Sequence, residues 1–334
     1  MRICDFSSDL KTQPTSKMQK ALKEAQNNPD QQVVTQLEKR AAEILHKEAA
    51  LFVSSGTLAT QLALVAQSQP GDEILISDDS YLAFSQAGVD TILADISYQE
   101  MYFVTGVPDV VQIENYLKKH PKIKVISLEN ALFNGEVMDV VSGEQIYQLA
   151  QRYQVKVHID GARLFNAALA LGVDIGTLTK DADTVACCLA KGLCAPSGAL
   201  LAGSREVIQR AKQIQRKYQA SDYPAAVYAA AGLIALEEMP QELKKDHANA
   251  QYLAAELANL KNVVCDIQQV KINLVFGEFL ITDRKISELE HELALNGFKV
   301  GSLEDGKFRF VTNHDINRED VKKLVAIIQR VVDE

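Results

Sequence analysis

The chain has 334 residues, 47% of them hydrophobic, with 35 basic against 44 acidic side chains and a net charge of −9. That length suggests about two domains around an ample core. The acidic balance, without any dense Lys/Arg stripe, argues against nucleic-acid or anionic membrane partners. No stretch approaches the roughly 20 apolar residues of a membrane span, and the start, Met-Arg-Ile-Cys-Asp-Phe-Ser-Ser-Asp, has no signal-peptide hydrophobic region.

The elements alternate between strand and helix, which predicts an α/β fold. Residues 36–47 have helical periodicity, 49–53 form a short strand-like run, and 54–57 open an apolar helix to about residue 65. A turn at 69–72 leads to a strand over 73–76. Buried-type strands are expected at 89–93 and 123–128, with a helix near 109–119 between them. A helix over 142–153, strands at 155–160, 184–189 and 199–202, and a polar helix over 205–217 follow. Residues 223–236 are rich in alanine and apolar side chains, as in a helix packed on several sides. Met239-Pro240 breaks it, and a solvated helix runs on to about Leu260. Strands at 263–266, 272–276 and 308–311, with helices at 286–296 and 318–332, read as a small α+β domain. The expected division is an N-terminal arm (1–15), a large domain (16–239) and a small C-terminal domain (240–334).

The five cysteines (Cys4, Cys187, Cys188, Cys194, Cys265) are odd in number and lack metal-ligand spacing. Reduced core thiols and a cytoplasmic location are expected. The six histidines form no clustered pair, so no metal site is expected.

Three segments carry chemistry. In the run Asp183 to Gly198 an apolar strand delivers a lone cation, Lys191, followed by Gly, Pro and Gly. Placing an ammonium at the end of a buried strand is costly, and Schiff-base chemistry is one good reason for it. A solvated loop lysine is the plain alternative. Upstream, His158-Ile-Asp160-Gly-Ala-Arg163 ends a strand at the edge where open α/β sheets bind ligands. Asp160 could pair with a pyridinium nitrogen, and Arg163 could grip a carboxylate at two points. An N-cap aspartate with a surface ion pair would look the same. Ser55-Gly56-Thr57, between strand and helix, offers free N–H groups and a hydroxyl to a phosphate, although an ordinary N-cap does too. The order of the three segments is more telling than any one of them.

With these motifs the chain resembles the low-specificity L-threonine aldolases, pyridoxal phosphate enzymes of the aspartate-aminotransferase-like superfamily. The segments Ala49 to Thr57, His158 to Gly172, Leu189 to Pro196, Leu200 to Ser204, Asp246 to Asn249 and Phe308 to Thr312 carry the likeness over essentially the whole chain. The resemblance implies a fold-type-I large domain with a mixed, mainly parallel sheet, and pyridoxal 5'-phosphate bound as a Schiff base on Lys191. It implies that Asp160 pairs with the ring nitrogen and that Gly56 and Thr57 hold the phosphate. Arg163 would serve both cofactor and substrate, with Arg309 and Ser8 on the substrate carboxylate. It also implies a site built between subunits, hence a homodimer or homotetramer acting on a small amino acid.

The departures lie around the substrate side chain. A histidine that stacks on the cofactor in the family is Tyr81 here. Stacking survives, but a base at neutral pH does not follow from a phenol. The family's Glu-Asn-Thr-His-Asn is Glu129-Asn-Ala-Leu-Phe133, so its second histidine becomes Leu132. Its interface segment for the phosphate is Gln219 to Pro224 here. The expected reaction is retro-aldol cleavage of L-threonine or L-allo-threonine to glycine and an aldehyde. Tyr81, a phosphate-bound water, or Asn130 orienting a water are the candidate proton acceptors. β-Elimination or transamination of another amino acid would use the same anchors.

Overall fold

The computed structural model describes residues 2–84, 96–104, 106–217 and 224–333. Its strands, in chain order, are β1 (Cys4–Asp5), β2 (Ala49–Val53), β3 (Glu73–Ser77), β4 (Ser97–Met101), β5 (Ile123–Glu129), β6 (Lys156–Gly161), β7 (Thr184–Cys188), β8 (Ala199–Gly203), β9 (Val263–Val264), β10 (Leu274–Phe279), β11 (Phe298–Lys299) and β12 (Lys307–Val311). Among the described residues, seven make one sheet in the order β2-β8-β7-β6-β5-β3-β4. The pairs from β4 through β3, β5 and β6 to β7 are parallel, while β8 runs antiparallel to both β7 and β2.

Helices cover both faces of this sheet, which is why its strands read as nearly unbroken apolar runs. Ile74, Ile76 and Val125 pack to one side, and Leu75, Ile126 and Leu128 to the other, as the two-residue period of a strand requires. The alanine-rich helix Ala225–Glu238 lies against helices Ser16–Asn27 and Gln32–Ile44. A Cβ at Gly232 would come within 3.1 Å of both Leu37 and Leu189, so small side chains here permit the close approach.

A second sheet, β12-β10-β9, is antiparallel and packs with helices Leu243–Ala258, Asp283–Leu295 and Arg318–Asp333 around its own apolar cluster. β1 pairs in parallel with β11 and so ties the N-terminal segment to this second unit. Phe6 is fully buried between Phe298 and Phe310. Among the described residues no helix is long and apolar enough to cross a membrane.

The expected extended arm is more ordered than its polar sequence suggests. After β1 it makes a short 3-10 turn at Asp9–Lys11, capped by Ser8, and it buries Phe6 and Asp9. Several elements are absent from the sequence-level expectation, among them helices Ser16–Asn27, Leu164–Leu171 and Ile175–Thr179 and strand β4. Helix Ser16–Asn27 fully buries only Met18, although Met18, Ala21, Leu22 and Ala25 stand at helical spacing along it. β4 is an edge strand, Ser-Tyr-Gln-Glu-Met, in which only Met101 is buried. The expected strand at 89–93 lies outside the described residues.

Candidate active site

The carboxyl ends of the parallel strands converge on a cavity of about 260 Å³. β5 delivers Glu129 and β6 delivers Asp160, which face one another in register. The loop after β7 supplies Lys191, and the turn after β2 supplies Ser55, Gly56 and Thr57. Ser8, Leu10, Tyr81, Phe133, Arg163 and Arg309 complete most of the lining. Residues from three distant parts of the chain therefore meet at one sheet edge.

At one end, Ser55 caps helix Gly56–Gln67 by accepting from the Leu58 N–H at 3.2 Å. The N–H groups of Gly56 and Thr57 precede the first intrahelical bonds and point out of the helix start. A Cβ at Gly56 would meet nothing within 4 Å, so the space in front of this turn is open. Such a helix start suits an anion.

Asp160 is held from both sides. Its Oδ1 accepts from the Ala162 N–H at 3.1 Å and its Oδ2 from the Thr60 hydroxyl at 3.0 Å. Behind Thr60, its oxygen lies 3.4 Å from His158 Nε2, and His158 Nδ1 lies 2.8 Å from the Thr184 hydroxyl. Thr184 in turn accepts from Gln67 Nε2 at 2.7 Å. Each hydroxyl has one proton. If Thr60 donates to an ionised Asp160, it must accept from His158 Nε2–H, and Nδ1 then accepts from Thr184. A one-way donor chain thus runs toward the carboxylate. Burial pushes the His158 ring down to about 3, so the imidazole is neutral, as this chain requires. Burial raises the Asp160 carboxyl, and Lys191, Thr60 and the Ala162 N–H oppose it.

Lys191 sits in a tightly fastened loop. The Cys194 N–H donates to the Lys191 carbonyl at 3.0 Å, and the Ala195 N–H to that of Leu189 at 3.0 Å. A Cβ at Gly192 would meet Leu243 at 2.6 Å, and Ser197 donates to the Ser54 carbonyl at 3.0 Å. The lysine loop and the Ser55–Thr57 turn are thereby linked directly. Lys191 is half-buried, and its Nζ makes no hydrogen bond or close ion pair among the described residues.

At the opposite end, Arg163 spends its fork on Asp9: Nε to Oδ2 is 2.8 Å and Nη2 to Oδ1 is 2.9 Å, with both side chains buried. Burial acts to raise Asp9, but the charge and hydrogen bonds of Arg163 outweigh it and hold the carboxyl low. The two-point grip expected for a substrate carboxylate is thus made inside the protein. Arg309, on β12, has no carboxylate within ion-pair distance among the described residues. Its guanidinium lies 5.3 Å from the centre of the Phe133 ring. Burial and then the nearby Arg163 charge reduce its affinity for its proton.

Asn130 does not belong to this cavity. Although it follows Glu129 directly, its side chain turns away and pairs with the Met138 backbone, donating to the carbonyl at 3.0 Å and accepting from the N–H at 3.3 Å. Successive strand-end residues point to opposite sides, so only one of the two can face the ligand. Leu132 is buried in the apolar core. Most of the Gln219 to Pro224 segment lies outside the described residues.

Glu129 carries no role in the sequence-level expectation, yet it lines the cavity. Burial first, and then Asp160 beside it, push its carboxyl up to about 8 against the pull of the Tyr81 and Phe133 N–H groups and Lys191. The signal was present: like Asp160, it is a carboxylate ending an apolar strand. No cluster suited to a metal ion occurs among the described residues.

The donor set was tested against pyridoxal phosphate. Open helix-start N–H groups match its phosphate, Asp160 its ring nitrogen, the unpaired Lys191 amine its aldehyde, and the Tyr81 wall its flat ring; the residues fit. The fold is that of the fold-type-I pyridoxal phosphate enzymes, and the cavity's donor set suits their cofactor. The profile of the beta-eliminating lyase family matches residues 5–278. Low-specificity L-threonine aldolase 1 of Arabidopsis thaliana is 32% identical over 99% of this chain and 97% of its own length. The low specificity L-threonine aldolase of Escherichia coli K12 is 28% identical over 97% and 98%. The Leishmania major threonine aldolase structure superposes with a TM-score of 0.81 at 17% identity, covering 98% of this chain and 99% of that one. The chain belongs to the beta-eliminating lyase family, whose members hold pyridoxal phosphate as a Schiff base on a lysine.

Proposed function

We propose that the protein is an aldehyde-lyase that cleaves L-threonine or L-allo-threonine to glycine and acetaldehyde. The observation that carries this is the convergence of Lys191, Asp160 and the Gly56–Thr57 turn on one cavity with Arg309 opposite, in a chain whose full-length relatives are named threonine aldolases. The cofactor supplies a conjugated sink for the electrons of the broken bond. The protein's residues position and polarise. Gly56 and Thr57 would hold the phosphate, Tyr81 would cover the ring, and Lys191 would supply the amine that carries the cofactor. Asp160, braced by Thr60, keeps the ring nitrogen protonated, and so acts on charge that grows only as the bond breaks. Arg309 and Ser8 fix the substrate carboxylate. Arg163, locked by Asp9, has Nη1 for the cofactor or that carboxylate.

We infer a homodimer or homotetramer. The Phe84 ring, 79% exposed, stacks on Phe133 at the cavity wall, an apolar surface suited to cover by a second copy. Cysteines that are all free support a reducing, cytoplasmic setting. β-Elimination is the second reading, favoured by the apolar Ala131 and Phe133 at the cavity and by Leu132, buried in the core, at the position of the family's second histidine.

Incubation with each threonine isomer, with assay of acetaldehyde and glycine, tests the proposal. Pyruvate and ammonia from serine or a substituted cysteine, without aldehyde from either threonine, would replace it with elimination. Lys191→Ala should abolish the visible absorbance of the lysine-bound cofactor.

A further inference from the structure

Retro-aldol cleavage needs a group to take the proton of the β-hydroxyl, and of the three candidates named from the sequence, a phosphate-bound water and two side chains, neither side chain is well placed. Asn130 faces away from the cavity. Tyr81 offers a phenol on a surface that is 43% exposed. The other titratable groups of the lining are engaged: Asp160 is braced by Thr60, Arg163 is paired with Asp9, and Lys191 is the cofactor amine. Burial raises the Cys188 thiol, so it is a poor proton acceptor.

Glu129 is the remaining group among the described lining residues. It stands beside Asp160 in register, about 5 Å away strand to strand. Backbone donors clamp its carboxylate: the Tyr81 N–H to Oε1 at 2.5 Å and the Phe133 N–H to Oε2 at 3.1 Å. Each oxygen therefore keeps a lone pair. The clamp also links Glu129 to both walls of the region where the chain departs from its family, Tyr81 and Phe133.

We propose that the Glu129 carboxylate is the acid–base group for the substrate β-oxygen, an assignment that rests on the aldolase activity proposed above. The β-hydroxyl O–H bond breaks and its proton passes to a Glu129 oxygen. The electron pair left on the substrate β-oxygen forms the carbonyl bond of the aldehyde. The cofactor would supply the sink for the Cα–Cβ electron pair, and a proton from solvent at Cα would complete glycine. Protonated Glu129 returns its proton to solvent as the aldehyde leaves. No oxidant or reductant is consumed. Burial lifts this carboxyl to about 8, so its ionised, proton-accepting form is a stronger base than a solvated glutamate and its share grows as pH rises toward that value.

The test uses cofactor-loaded wild type, Glu129→Gln and Glu129→Ala. Aldehyde release from both threonine isomers is compared with solvent-deuterium exchange at the α-carbon of glycine, which needs the cofactor and Lys191 but no base on a β-oxygen. Cleavage should fall about 100-fold or more, while glycine exchange and the visible cofactor absorbance stay within about threefold. Added formate should restore part of the cleavage in Glu129→Ala. Cleavage within about threefold of wild type would overturn the assignment, as would loss of exchange in parallel with cleavage, which marks a purely structural role. Wild type that exchanges glycine but releases no aldehyde would instead overturn the aldolase activity, and this assignment with it.

Discussion

Arg163 and Asp9 form a two-point ion pair, at 2.8 and 2.9 Å, that is sealed from solvent and joins the end of β6 to the N-terminal segment. Asp9 also accepts from Asn273 Nδ2 at 3.2 Å, and Asn273 bonds in turn to the Thr312 carbonyl at 2.8 Å. One carboxylate thus fastens the N-terminal segment, the first sheet's ligand edge and the second sheet's unit to each other.

Removing one partner of such a pair strands the other. Asp9→Ala should destabilise the protein by roughly 3–5 kcal/mol in urea unfolding, because the Arg163 charge would be buried and uncompensated. The folded-state carboxyl is held low, so its stabilising contribution is present above the unfolded value near 3.9 and is lost as pH falls through the folded value. Wild type should therefore weaken more steeply than the variant in strong acid. Equal acid sensitivity of the two would contradict this.

Asp246 gives the opposite slope. Burial, then Asp9, Glu242 and Asp315, push its carboxyl up to about 8. Across roughly pH 4–8 the native state holds a proton that the unfolded chain has released, so stability falls as pH rises through that window and levels off above it. His158 and His247, driven down to about 3 and 4 by burial, work against this below about pH 6.5, where the unfolded chain is protonated and the native rings are not. Between about pH 6.5 and 8 the raised carboxyls, among them Asp246, Glu129 and Asp160, are no longer opposed by these rings. Denaturant titrations should show Asp246→Asn flattening the decline there by roughly 1–2 kcal/mol. An identical decline in both proteins would refute the assignment.

The donor chain behind Asp160 makes a separate claim. Thr60→Val keeps the side-chain shape but removes the hydroxyl between Asp160 and His158. Stability should drop by about 1–3 kcal/mol from the unsatisfied buried groups. The pH at which the bound cofactor's absorbance titrates should also shift, because Asp160 loses a donor. Thr60→Ser should restore both. A melting-point change without any spectral change would reduce Thr60 to a packing residue.

Tyr81 supplies a ring and, through its backbone, an N–H to Glu129. Tyr81→Phe should retain cofactor affinity within about threefold, and Tyr81→Ala should lose about tenfold by equilibrium dialysis, since stacking needs only a flat apolar face. Comparable loss in both variants would assign the role to the hydroxyl.

The parts of this site legible from sequence are those fixed by local backbone geometry. A turn before a helix, a carboxylate ending one strand and a lysine following another are short-range patterns, and they placed Gly56, Asp160 and Lys191 without any tertiary information. What escaped depended on side-chain direction. Glu129 and Asn130 are consecutive, and only the facing of the last β5 residue decides that the first enters the cavity. Arg163 looked available because its partner, Asp9, lies 154 positions away. Helix Ser16–Asn27 was legible and missed: Met18, Ala21, Leu22 and Ala25 repeat at helical spacing among polar neighbours.

Threading both chain ends through the site has a consequence for biosynthesis. The Gly56–Thr57 turn, Asp160 and Lys191 are all made within the first 191 residues, whereas Arg309 lies far downstream. β1 cannot find its partner until β11 has left the ribosome. A nascent chain can therefore complete the seven-stranded sheet and hold the cofactor's attachment points while the strap bearing Ser8 and Asp9 is still unmoored. The cavity closes only when the last part of the polypeptide reaches back for the first.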